Sequence, residues 1–372
     1  MKIGIVVPFS WSYGGGVVEH AEHQADALRA RGHDVKILLG NDPPGKFTRF
    51  LHPRSGRHGP LPDGIIPVGR SVVVPANGSL PNIILSPRSI GRIRTVLAEE
   101  QFDVVHVHEP MTPAVCVATL AIAQCPIVAT YHAHGDLKWN WGGQKMWGFL
   151  ADRIDVRIAV SPMAAESAAR WSPADYRVIP NGVYIPPDAD PADRDHTVVF
   201  IGRHDPRKGL PTLLRAWPAV HAATGARLRL IGTDPLQYRL LHTRLRVDEA
   251  GIDVLGIVTN EVRTHELERA KVSVTPALGG ESFGLVLAEA FACATPAVAS
   301  DIPGYAAVAT PEAARLVPPS DPDALAAAIV DVLSDEERRV EMGRAARAHA
   351  LAHYAWDDIA RRLEEVYDEV RA

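Results

Sequence analysis

A glycine-rich loop at residues 279–284 contains one acidic residue, and a second follows soon after it. The loop reads Gly-Gly-Glu-Ser-Phe-Gly, with Glu281 inside it and Glu289 eight positions further along. Carboxylates accept hydrogen bonds from hydroxyl groups, and eight residues make about two helical turns, so the two carboxylates are predicted to lie on a similar face. A helix predicted to begin near Phe283 would direct its N–H groups at a phosphate. The alternative for Glu289 is an ordinary surface residue, although its apolar neighbours indicate burial, where an unpartnered carboxylate is costly.

A second loop, at residues 202–209, combines glycines with cations. It reads Gly-Arg-His-Asp-Pro-Arg-Lys-Gly and follows an apolar run that predicts a buried strand. Ligands bind at the carboxyl ends of the strands in open α/β sheets. Arg203 and Lys208 could there neutralise a departing diphosphate in place of a metal ion. A solvated basic turn is the alternative, and the position after a strand favours the ligand site.

A third glycine-rich loop, Ser-Tyr-Gly-Gly-Gly at residues 12–16, stands directly before a predicted helix. Glycine lets backbone N–H groups approach a ligand closely, and a helix N-terminus favours a phosphate. Gly15 and Gly16 are therefore candidate ligand contacts, although a plain tight turn explains the pattern equally well. The loop lacks the full GxGxxG spacing, and no acidic residue closes the second predicted strand, which argues against a nicotinamide cofactor.

Histidines follow two of the predicted strands. His106 and His108 end one strand, and His132 follows the next, at Ile127–Tyr131. The ordinary interpretation of each is a buried or rim histidine with satisfied hydrogen bonds. A metal site that combines these three with His134 is only weakly indicated, because no third-ligand spacing supports it. We therefore predict no metal ligands and no catalytic metal.

The elements that must position these loops alternate between strand and helix patterns. Strands are predicted at Lys2–Pro8, Val35–Leu39, Val104–Val107, Ile127–Tyr131 and Arg157–Val160, and again at Thr197–Ile201, Arg227–Ile231, near Val254, Val272–Pro276 and Ala297–Ala299. Helices are predicted at Val17–Arg31, from about Pro211 and over much of residues 321–372. This order predicts an α/β fold with two parallel sheets. Residues 43–65 are predicted to be a long loop, and the Pro- and Asp-rich residues 186–195 a linker or exposed loop.

Composition limits the class of protein. A chain of 372 residues suits two domains, and its net charge of −5 argues against a dedicated nucleic-acid binder. Cys116, Cys125 and Cys293 form no CxxC pair, which favours a reducing compartment. The first ten residues read as a buried strand rather than a signal peptide. No uncharged apolar run of about 18 residues predicts a membrane-spanning helix.

Together these motifs resemble the family four retaining glycosyltransferases of the GT-B fold, which has two Rossmann-like domains facing a central cleft. The resemblance extends over nearly the whole chain through the Gly-rich first loop, DVVHVHEP, His132, VIPNGV, GRHDPRKG, GGESFG with Glu289 and the C-terminal helices. Within the family the chain is most similar to phosphatidylinositol mannosyltransferases, through VVEH at residues 17–20 and Asn77-Gly78-Ser79.

The resemblance implies a role for each matched residue. The implied catalytic set is His132, which would contact the donor sugar, with Glu281, Arg203 and Lys208. The implied donor contacts are Gly15, Gly16, Arg203, Lys208, Val258, Arg263, Glu281, Phe283, Gly284 and Glu289. Among these, Val258 and Arg263 would lie near the base and Glu289 would hold the ribose hydroxyls. The implied acceptor contacts are Phe9, Asn77, Ser79 and Asn82.

The sequence departs from the pattern of the phosphatidylinositol mannosyltransferases at three places. Asn82 stands where those enzymes carry an arginine that grips the acceptor phosphate, and Asn260 where an aspartate helps to read guanine. The basic helix used at anionic membranes is represented here by fewer cations, Arg88, Arg92 and Arg94. The donor therefore stays open between GDP- and UDP-linked sugars, and the acceptor between a lipid, a small polyol and a glycan. Tryptophans 139, 141 and 147, near lysines 138 and 145, could form an acceptor or membrane-facing surface or a buried cluster.

The resemblance also implies an organisation and an activity. Residues 1–180 would bind the acceptor, residues 181–350 the nucleotide sugar, and residues 351–372 would form a helix that crosses back to the first domain. The expected activity is transfer of a mannose- or glucose-type hexose with retention, without a cofactor or nucleic acid. The expected location is the cytoplasm, with peripheral contact with the inner membrane surface as an option. The alternatives are a sugar-nucleotide epimerase on the same fold and a non-catalytic bilobed binding protein.

Overall fold

A computed structural model describes residues 1–51, 56–57, 59–74, 81–132, 144–203 and 205–372. The chain divides into two compact units. Unit 1 contains Met1–Gly182 and Trp356–Ala372, and unit 2 contains Val183–Ala355. The chain thus enters unit 2 once and returns to unit 1 for its last helix.

Strands and helices alternate along most of the chain. The strands are β1 Lys2–Ser10, β2 Asp34–Gly40, β3 Ile65–Gly69, β4 Ser71–Val73, β5 Asn82–Ile84, β6 Val104–His108, β7 Ile127–Tyr131, β8 Val156–Ala159, β9 Arg177–Val178, β10 Asp195–Ile201, β11 Arg227–Ile231, β12 Ile252–Gly256, β13 Ala270–Thr275, β14 Ala297–Ser300 and β15 Ala314–Val317. The helices are α1 Gly16–Ala30, α2 Lys46–Leu51, α3 Pro87–Glu100, α4 Val115–Ile122, α5 Gln144–Ala151, α6 Pro162–Ala169, α7 Leu210–Thr224, α8 Pro235–Leu245, α9 Asn260–Arg269, α10 Leu285–Ala292, α11 Pro303–Ala306, α12 Pro322–Ser334, α13 Glu336–His353 and α14 Trp356–Arg371.

The main sheet of unit 1 has the strand order β3-β2-β1-β6-β7-β8-β9, and its neighbouring strands run parallel. Consecutive residues of β1 serve two cores. Ile5 packs into the apolar cluster that includes α1 and α14, whereas Val6 packs into the cluster that includes α3 and α4. Both residues are fully buried. The unbroken apolar run correctly predicted a strand covered on both faces.

The sheet of unit 2 is parallel throughout, with the order β12-β11-β10-β13-β14-β15. Its central strand β10 again alternates between two cores. Phe200 packs with residues of α7 and α12, and Val199 packs with residues of α9 and α10. The predicted second parallel α/β unit is therefore confirmed, and the carboxyl ends of β10 and β13 meet at one edge of this sheet.

Two parts of unit 1 differ from the sequence expectation. Residues 43–65, predicted to be a long loop, contain the short helix α2 and run to the start of β3. The prediction was wrong because this helix is only one or two turns long and lies among prolines and glycines that dominate the local pattern. An antiparallel pair, β4 and β5, was also missed, since three residues are too few to show an alternating pattern.

The Pro- and Asp-rich residues 186–195 are not a free linker, because they belong to unit 2 and are anchored there. The guanidinium of Arg194 is buried and donates hydrogen bonds to the carbonyls of Leu267 and Cys293, at 3.0 and 2.7 Å. Arg347 of α13 also donates to the carbonyl of Pro187 at 3.0 Å. A composition typical of linkers thus became ordered through arginines that satisfy backbone carbonyls.

Along the described ranges of the chain, no helix is both long enough and apolar enough to cross a membrane. All three cysteines are free thiols, and Cys116 and Cys293 are buried.

Candidate functional site

The basic loop that follows β10 is held in shape by its own acidic residue. Asp205 accepts a hydrogen bond from the backbone N–H of Arg207 at 2.9 Å and caps the short 3-10 turn Pro206–Lys208. Its carboxylate also binds the Arg207 guanidinium, with 2.7 Å between Oδ2 and Nη2. Arg207 is therefore engaged within the loop. Arg203 is exposed and forms no ion pair with any described residue, so it presents a free cation beside the strand end.

Gly209 attaches this basic loop to the segment after β13. Its φ of +73° lies in the left-handed region, and a Cβ at this position would collide with the carbonyl oxygen of Pro276. The carbonyl of Arg207 also accepts a hydrogen bond of 2.7 Å from the N–H of Leu278. Only glycine permits so close an approach in this conformation. The two glycine-containing loops predicted from the sequence thus lie directly against each other.

Lys208 and Glu281 form an ion pair between these two loops. Lys208 Nζ lies 2.8 Å from Glu281 Oε1, and the side chains are 25% and 17% exposed. The backbone of Glu281 packs closely against Gly304, because a Cβ at position 304 would collide with the Glu281 carbonyl oxygen. Burial raises the pKa of the neighbouring Tyr305 well above its usual range, and the charge of Glu281 raises it further. Two residues predicted to bind one ligand are therefore side by side.

Glu289 forms the second ion pair of this region. It lies on α10, and its Oε1 accepts a hydrogen bond of 2.8 Å from Arg263 Nη2 on α9. The two side chains are 16% and 26% exposed. The pair joins the carboxylate predicted for ribose to the cation predicted near the base. Glu289 is thus half-buried rather than fully buried, and its carboxylate has the partner that burial among apolar neighbours requires.

The remaining residues predicted to bind the donor mainly pack against their neighbours in unit 2. The predicted helix begins at Leu285 rather than near Phe283, and its N-cap Gly284 has a φ of +80°. The Phe283 ring is 5% exposed and packs edge-on against Tyr354, with 5.5 Å between ring centroids. Val258 is partly buried and packs against the apolar cluster of α9 and α10. The side chains of Phe283 and Val258 therefore pack within unit 2.

Gly15 and Gly16 in unit 1 have no internal reason to be glycine. Both are exposed, and a Cβ built on either one has no described atom within 4 Å. The φ of Gly15 is −168°, which any residue adopts. The fold therefore leaves open space at the start of α1, as the ligand-contact interpretation requires.

His132 directly follows β7, and its backbone and its ring each take part in a hydrogen bond there. Its backbone N–H donates to Glu109 Oε1 at 2.9 Å, and its Nε2 lies 2.8 Å from His108 Nδ1. Glu109 has a φ of +51°, a strained conformation for a non-glycine residue. Burial, with a contribution from His106, lowers the pKa of His132 to about 3. The imidazole is therefore neutral at pH 7 and can exchange hydrogen bonds with an uncharged hydroxyl.

His106 is a satisfied core residue. Its Nδ1 lies 2.6 Å from the Tyr367 hydroxyl of α14 and its Nε2 lies 2.7 Å from Thr130 Oγ1. Both ring nitrogens are thus used inside unit 1. This arrangement matches the ordinary interpretation of a buried histidine.

The predicted acceptor residues are only partly described. Phe9 lies near the end of β1, paired with Ile83, and Asn82 begins β5 opposite Val73. The Oδ1 atom of Asn82 is buried and has no hydrogen-bond partner among the residues that the structure describes. Other predicted positions lie outside the described residues, namely Asn77, Ser79, His134, Lys138, Trp139 and Trp141. The side chains of Lys145 and Trp147 are likewise not described.

The comparisons with known proteins decide the family. The descriptions "Glycosyltransferase Family 4" and "Glycosyl transferases group 1" match residues 14–185 and 195–335. A phosphatidyl-myo-inositol mannosyltransferase of Mycolicibacterium smegmatis is 35% identical over 387 residues, covering 100% of this chain and 94% of that protein. The chain belongs to glycosyltransferase family 4.

Two further comparisons place this glycosyltransferase by sequence and by fold. A GDP-mannose-dependent monoacylated alpha-(1-6)-phosphatidylinositol monomannoside mannosyltransferase of Corynebacterium glutamicum is 28% identical, over 64% of this chain and 69% of that protein. Sucrose-phosphate synthase from Thermosynechococcus elongatus superposes with a TM-score of 0.74 at 23% identity, covering 99% and 98% of the two chains. The glycosyltransferase therefore has the GT-B fold with two parallel-sheet α/β domains.

Sequence reasoning did not single out His20 of the glycosyltransferase as a site residue. His20 is buried on α1, with its ring centroid 4.8 Å from that of His132 and 5.4 Å from that of His108. Gln24, four residues later, is also buried. Two polar residues at helical spacing among Val18, Ala21, Ala25 and Leu28 were the available signal, since a core-facing stripe is normally apolar.

Proposed function

We propose that this glycosyltransferase moves a mannosyl residue from a nucleoside-diphosphate mannose to a hydroxyl of an inositol phospholipid headgroup, with retention of anomeric configuration. The proposal draws on the activities of two relatives, the mannosyltransferase that matches over the whole chain and the GDP-mannose-dependent mannosyltransferase. GDP-mannose is the first donor to test. UDP-linked hexoses remain the second, because Asn260 replaces the acidic residue expected to read guanine.

Two ion pairs of unit 2 carry the donor part of the proposal: Lys208–Glu281, between the loops that follow β10 and β13, and Arg263–Glu289, between α9 and α10. Lys208 has three N–H donors, so its bond of 2.8 Å to Glu281 leaves donors for a diphosphate. Arg203 adds an exposed cation on the same loop. In the proposed reaction these two cations stabilise the negative charge that develops on the departing diphosphate. Glu281 accepts hydrogen bonds from sugar hydroxyls, and Glu289, oriented by Arg263, accepts those of the ribose.

The proposed step breaks the bond between the anomeric carbon and the diphosphate oxygen. An oxocarbenium-like sugar forms, and the acceptor hydroxyl attacks from the face that the diphosphate leaves. The acceptor proton passes to a diphosphate oxygen, which balances the transfer without a protein nucleophile. In unit 1, neutral His132 holds a sugar hydroxyl, and the N–H groups beside Gly15 and Gly16 contact the donor. No metal ion is required in this scheme, because Arg203 and Lys208 supply the positive charge.

The acceptor part of the proposal includes contact with a membrane surface. Three arginines of α3, Arg88, Arg92 and Arg94, are exposed, and Ile90 of the same helix is 38% exposed. Cations beside an apolar side chain suit the surface of an anionic leaflet. We place the enzyme on the cytoplasmic side, in agreement with its free thiols. Asn82, in place of an arginine, implies that the acceptor phosphate is held by another group.

The test combines each of two candidate donors with each of three candidate acceptors. The purified enzyme is incubated with GDP-mannose or UDP-glucose, and with phosphatidylinositol vesicles, free myo-inositol or phosphatidylcholine vesicles. Mass spectrometry of the lipid product and NMR of its anomeric proton report transfer and configuration. We expect an α-mannosyl lipid only with GDP-mannose and phosphatidylinositol. Transfer to myo-inositol alone would replace the lipid acceptor by a polyol, and an inverted anomer would contradict retention.

A control without acceptor distinguishes the epimerase alternative. An epimerase converts the nucleotide sugar alone into its epimer, whereas the proposed transferase leaves the sugar of the intact donor unchanged. Appearance of an epimeric nucleotide sugar, with no lipid product under any condition, would replace the proposed function by epimerisation.

A further inference from the structure

Three histidines from three elements of unit 1 converge on one point. His20 lies on α1, His108 ends β6, and His132 follows β7. One nitrogen of each imidazole lies within 4.8 Å of the corresponding nitrogens of the other two. We propose that His20, His108 and His132 form a binding site for one divalent transition-metal ion of the Zn²⁺ class.

The spacing of the rings matches a shared ion. The three centroid distances are 4.8, 5.1 and 5.4 Å. Three imidazoles that share a tetrahedral ion at Zn–N distances of about 2.0–2.1 Å hold their centroids roughly 5 Å apart. Their ligand nitrogens would lie about 3.3 Å apart, so small side-chain rotations suffice to close the site.

Two buried nitrogen atoms of this cluster have no hydrogen-bond partner. They are His20 Nδ1 and His108 Nε2, judged against the described part of the chain. The two side chains belong to residues that are 9% and 0% exposed. Buried polar atoms are normally paired, and the unpaired His20 Nδ1 is therefore available as a ligand atom. His108 Nε2 lies on the other side of its ring from Nδ1, so it would carry the proton of that imidazole rather than bind the ion. His106 provides the contrast, because both of its nitrogens bond to protein hydroxyls, and it is therefore outside the proposed ligand set.

The three imidazole ligands favour a transition-metal ion of intermediate softness at this site. Imidazole ligands suit Zn²⁺, Cu²⁺ and Ni²⁺, whereas Mg²⁺ and Ca²⁺ prefer oxygen. The hydrogen bond of 2.8 Å between His108 and His132 would be replaced by the ion, and its proton would shift to the other nitrogen of the same ring. The Glu109 carboxylate accepts a hydrogen bond from the backbone N–H of His132 and so adds a negative charge next to that residue. Three histidines leave a fourth position for water or another small ligand.

A metal ion bound by the three histidines would affect activity, and this effect alone rests on the proposed function. If His132 holds a sugar hydroxyl, an ion coordinated by the same imidazole withdraws it from the donor. Zn²⁺ should then inhibit transfer in competition with the nucleotide sugar. The three-histidine site is in that case a regulatory or inhibitory metal site within unit 1.

Direct binding tests the site without any assay of activity. Full-length protein is treated with chelator, and Co²⁺ or Zn²⁺ is titrated while calorimetry and the visible absorption of tetrahedral Co²⁺ are recorded. We expect one ion per chain, and at least a tenfold loss of affinity in His20→Gln and in His108→Gln. His23→Gln is the matched control, because His23 is exposed one turn away on the same helix. It should bind as the wild type does.

The histidine pair on α13 is the rival candidate, because the ring centroids of His349 and His353 lie 4.6 Å apart. If His353→Gln removes the bound ion and His20→Gln does not, the inference is wrong. Equal affinity in the wild type and both cluster variants, or no binding by the wild type, also overturns it. Thermal unfolding of each apo variant shows whether it is folded, and two separate substitutions protect against the loss of one.

Inhibition is then measured with the donor and acceptor that the transferase assay identifies. We expect Zn²⁺ to raise the apparent KM for the donor in the wild type and in His23→Gln. If no nucleotide sugar supports transfer, the proposed function fails while the metal titration still decides the site. If Zn²⁺ binds at the cluster and transfer is unaffected, the site stands and its inhibitory role is rejected.

Discussion

In unit 2, Lys208 and Arg263 are oriented by ion pairs that do not use all of their hydrogen-bond donors. Lys208 gives one of three donors to Glu281, and Arg263 donates from Nη2 to Glu289 at 2.8 Å. Because these pairs are only 16–26% exposed, they are less screened than surface pairs. The residue types and loop positions could be predicted from sequence. The pairing could not, since it depends on which strand ends become neighbours.

Replacing Lys208 by alanine should reduce kcat/KM for transfer by about 100-fold or more, equivalent to about 2.7 kcal/mol of transition-state stabilisation. The reason is that its charge would act on the departing diphosphate. Arg215→Ala is the control, because Arg215 is an exposed cation of the same unit on α7. Steady-state kinetics with both variants decide the matter. Equal kcat/KM in the two variants would remove Lys208 from the proposed machinery.

Glu289→Gln should weaken donor binding more than it slows turnover. The amide keeps the shape of the side chain but cannot accept two ribose hydroxyls as a carboxylate does, and it releases Arg263. We expect the donor Kd to rise by about tenfold, or about 1.4 kcal/mol. Calorimetric titration with the nucleoside diphosphate measures this change in affinity. Glu261→Gln, on the exposed face of α9, is the control. A wild-type Kd in Glu289→Gln would refute the ribose contact.

At the scale of elements, helix α7 shows what its sequence could and could not tell. Glycines stand at both of its ends, Gly209 as the N-cap and Gly225 as the C-cap, with φ of +73° and +69°. Sequence reasoning can place a glycine at a helix end. It cannot show that Gly209 also touches the Pro276 carbonyl, because that contact requires β10 and β13 to be neighbours in the sheet.

Gly209→Ala and Gly225→Ala therefore form a matched pair for stability. Both place a Cβ at positive φ, which costs about 1–2 kcal/mol. At Gly225 the Cβ meets no described atom within 4 Å, whereas at Gly209 it collides with backbone. We expect Gly209→Ala to lower the free energy of unfolding by several kcal/mol more than Gly225→Ala, on the scale of severe core lesions. Urea denaturation measures the difference, and similar losses in both variants would contradict the close approach.

At the scale of the whole molecule, the division into two units could be predicted from the sequence because the strand and helix pattern starts again after β9. The unbroken apolar run of β1 and the exact bounds of β7 and β11 followed from periodicity and composition. The histidine cluster could not be predicted in this way, because its members come from α1, the end of β6 and the residue after β7, which only the folded sheet order brings together. The last helix likewise belongs to unit 1, although unit 2 directly precedes it in the chain.

Tyr367 tests how α14 is tied into unit 1. Its buried hydroxyl bonds to His106 at 2.6 Å and accepts a hydrogen bond from Gln24 of α1 at 3.1 Å, so Tyr367→Phe removes one hydrogen bond from each partner. Because Gln24 Nε2 also lies 3.1 Å from His106 Nδ1, the two partners keep each other, and we expect a loss of about 0.5–1.5 kcal/mol in the stability of unit 1. Hydrogen exchange read by mass spectrometry should show faster exchange in α1 and β6, with unit 2 unchanged. Tyr184→Phe, at an exposed tyrosine of unit 2, should change neither. Unchanged exchange in Tyr367→Phe would mean that packing of Ile359, Leu363 and Val366 alone holds the helix, because those apolar contacts survive the substitution.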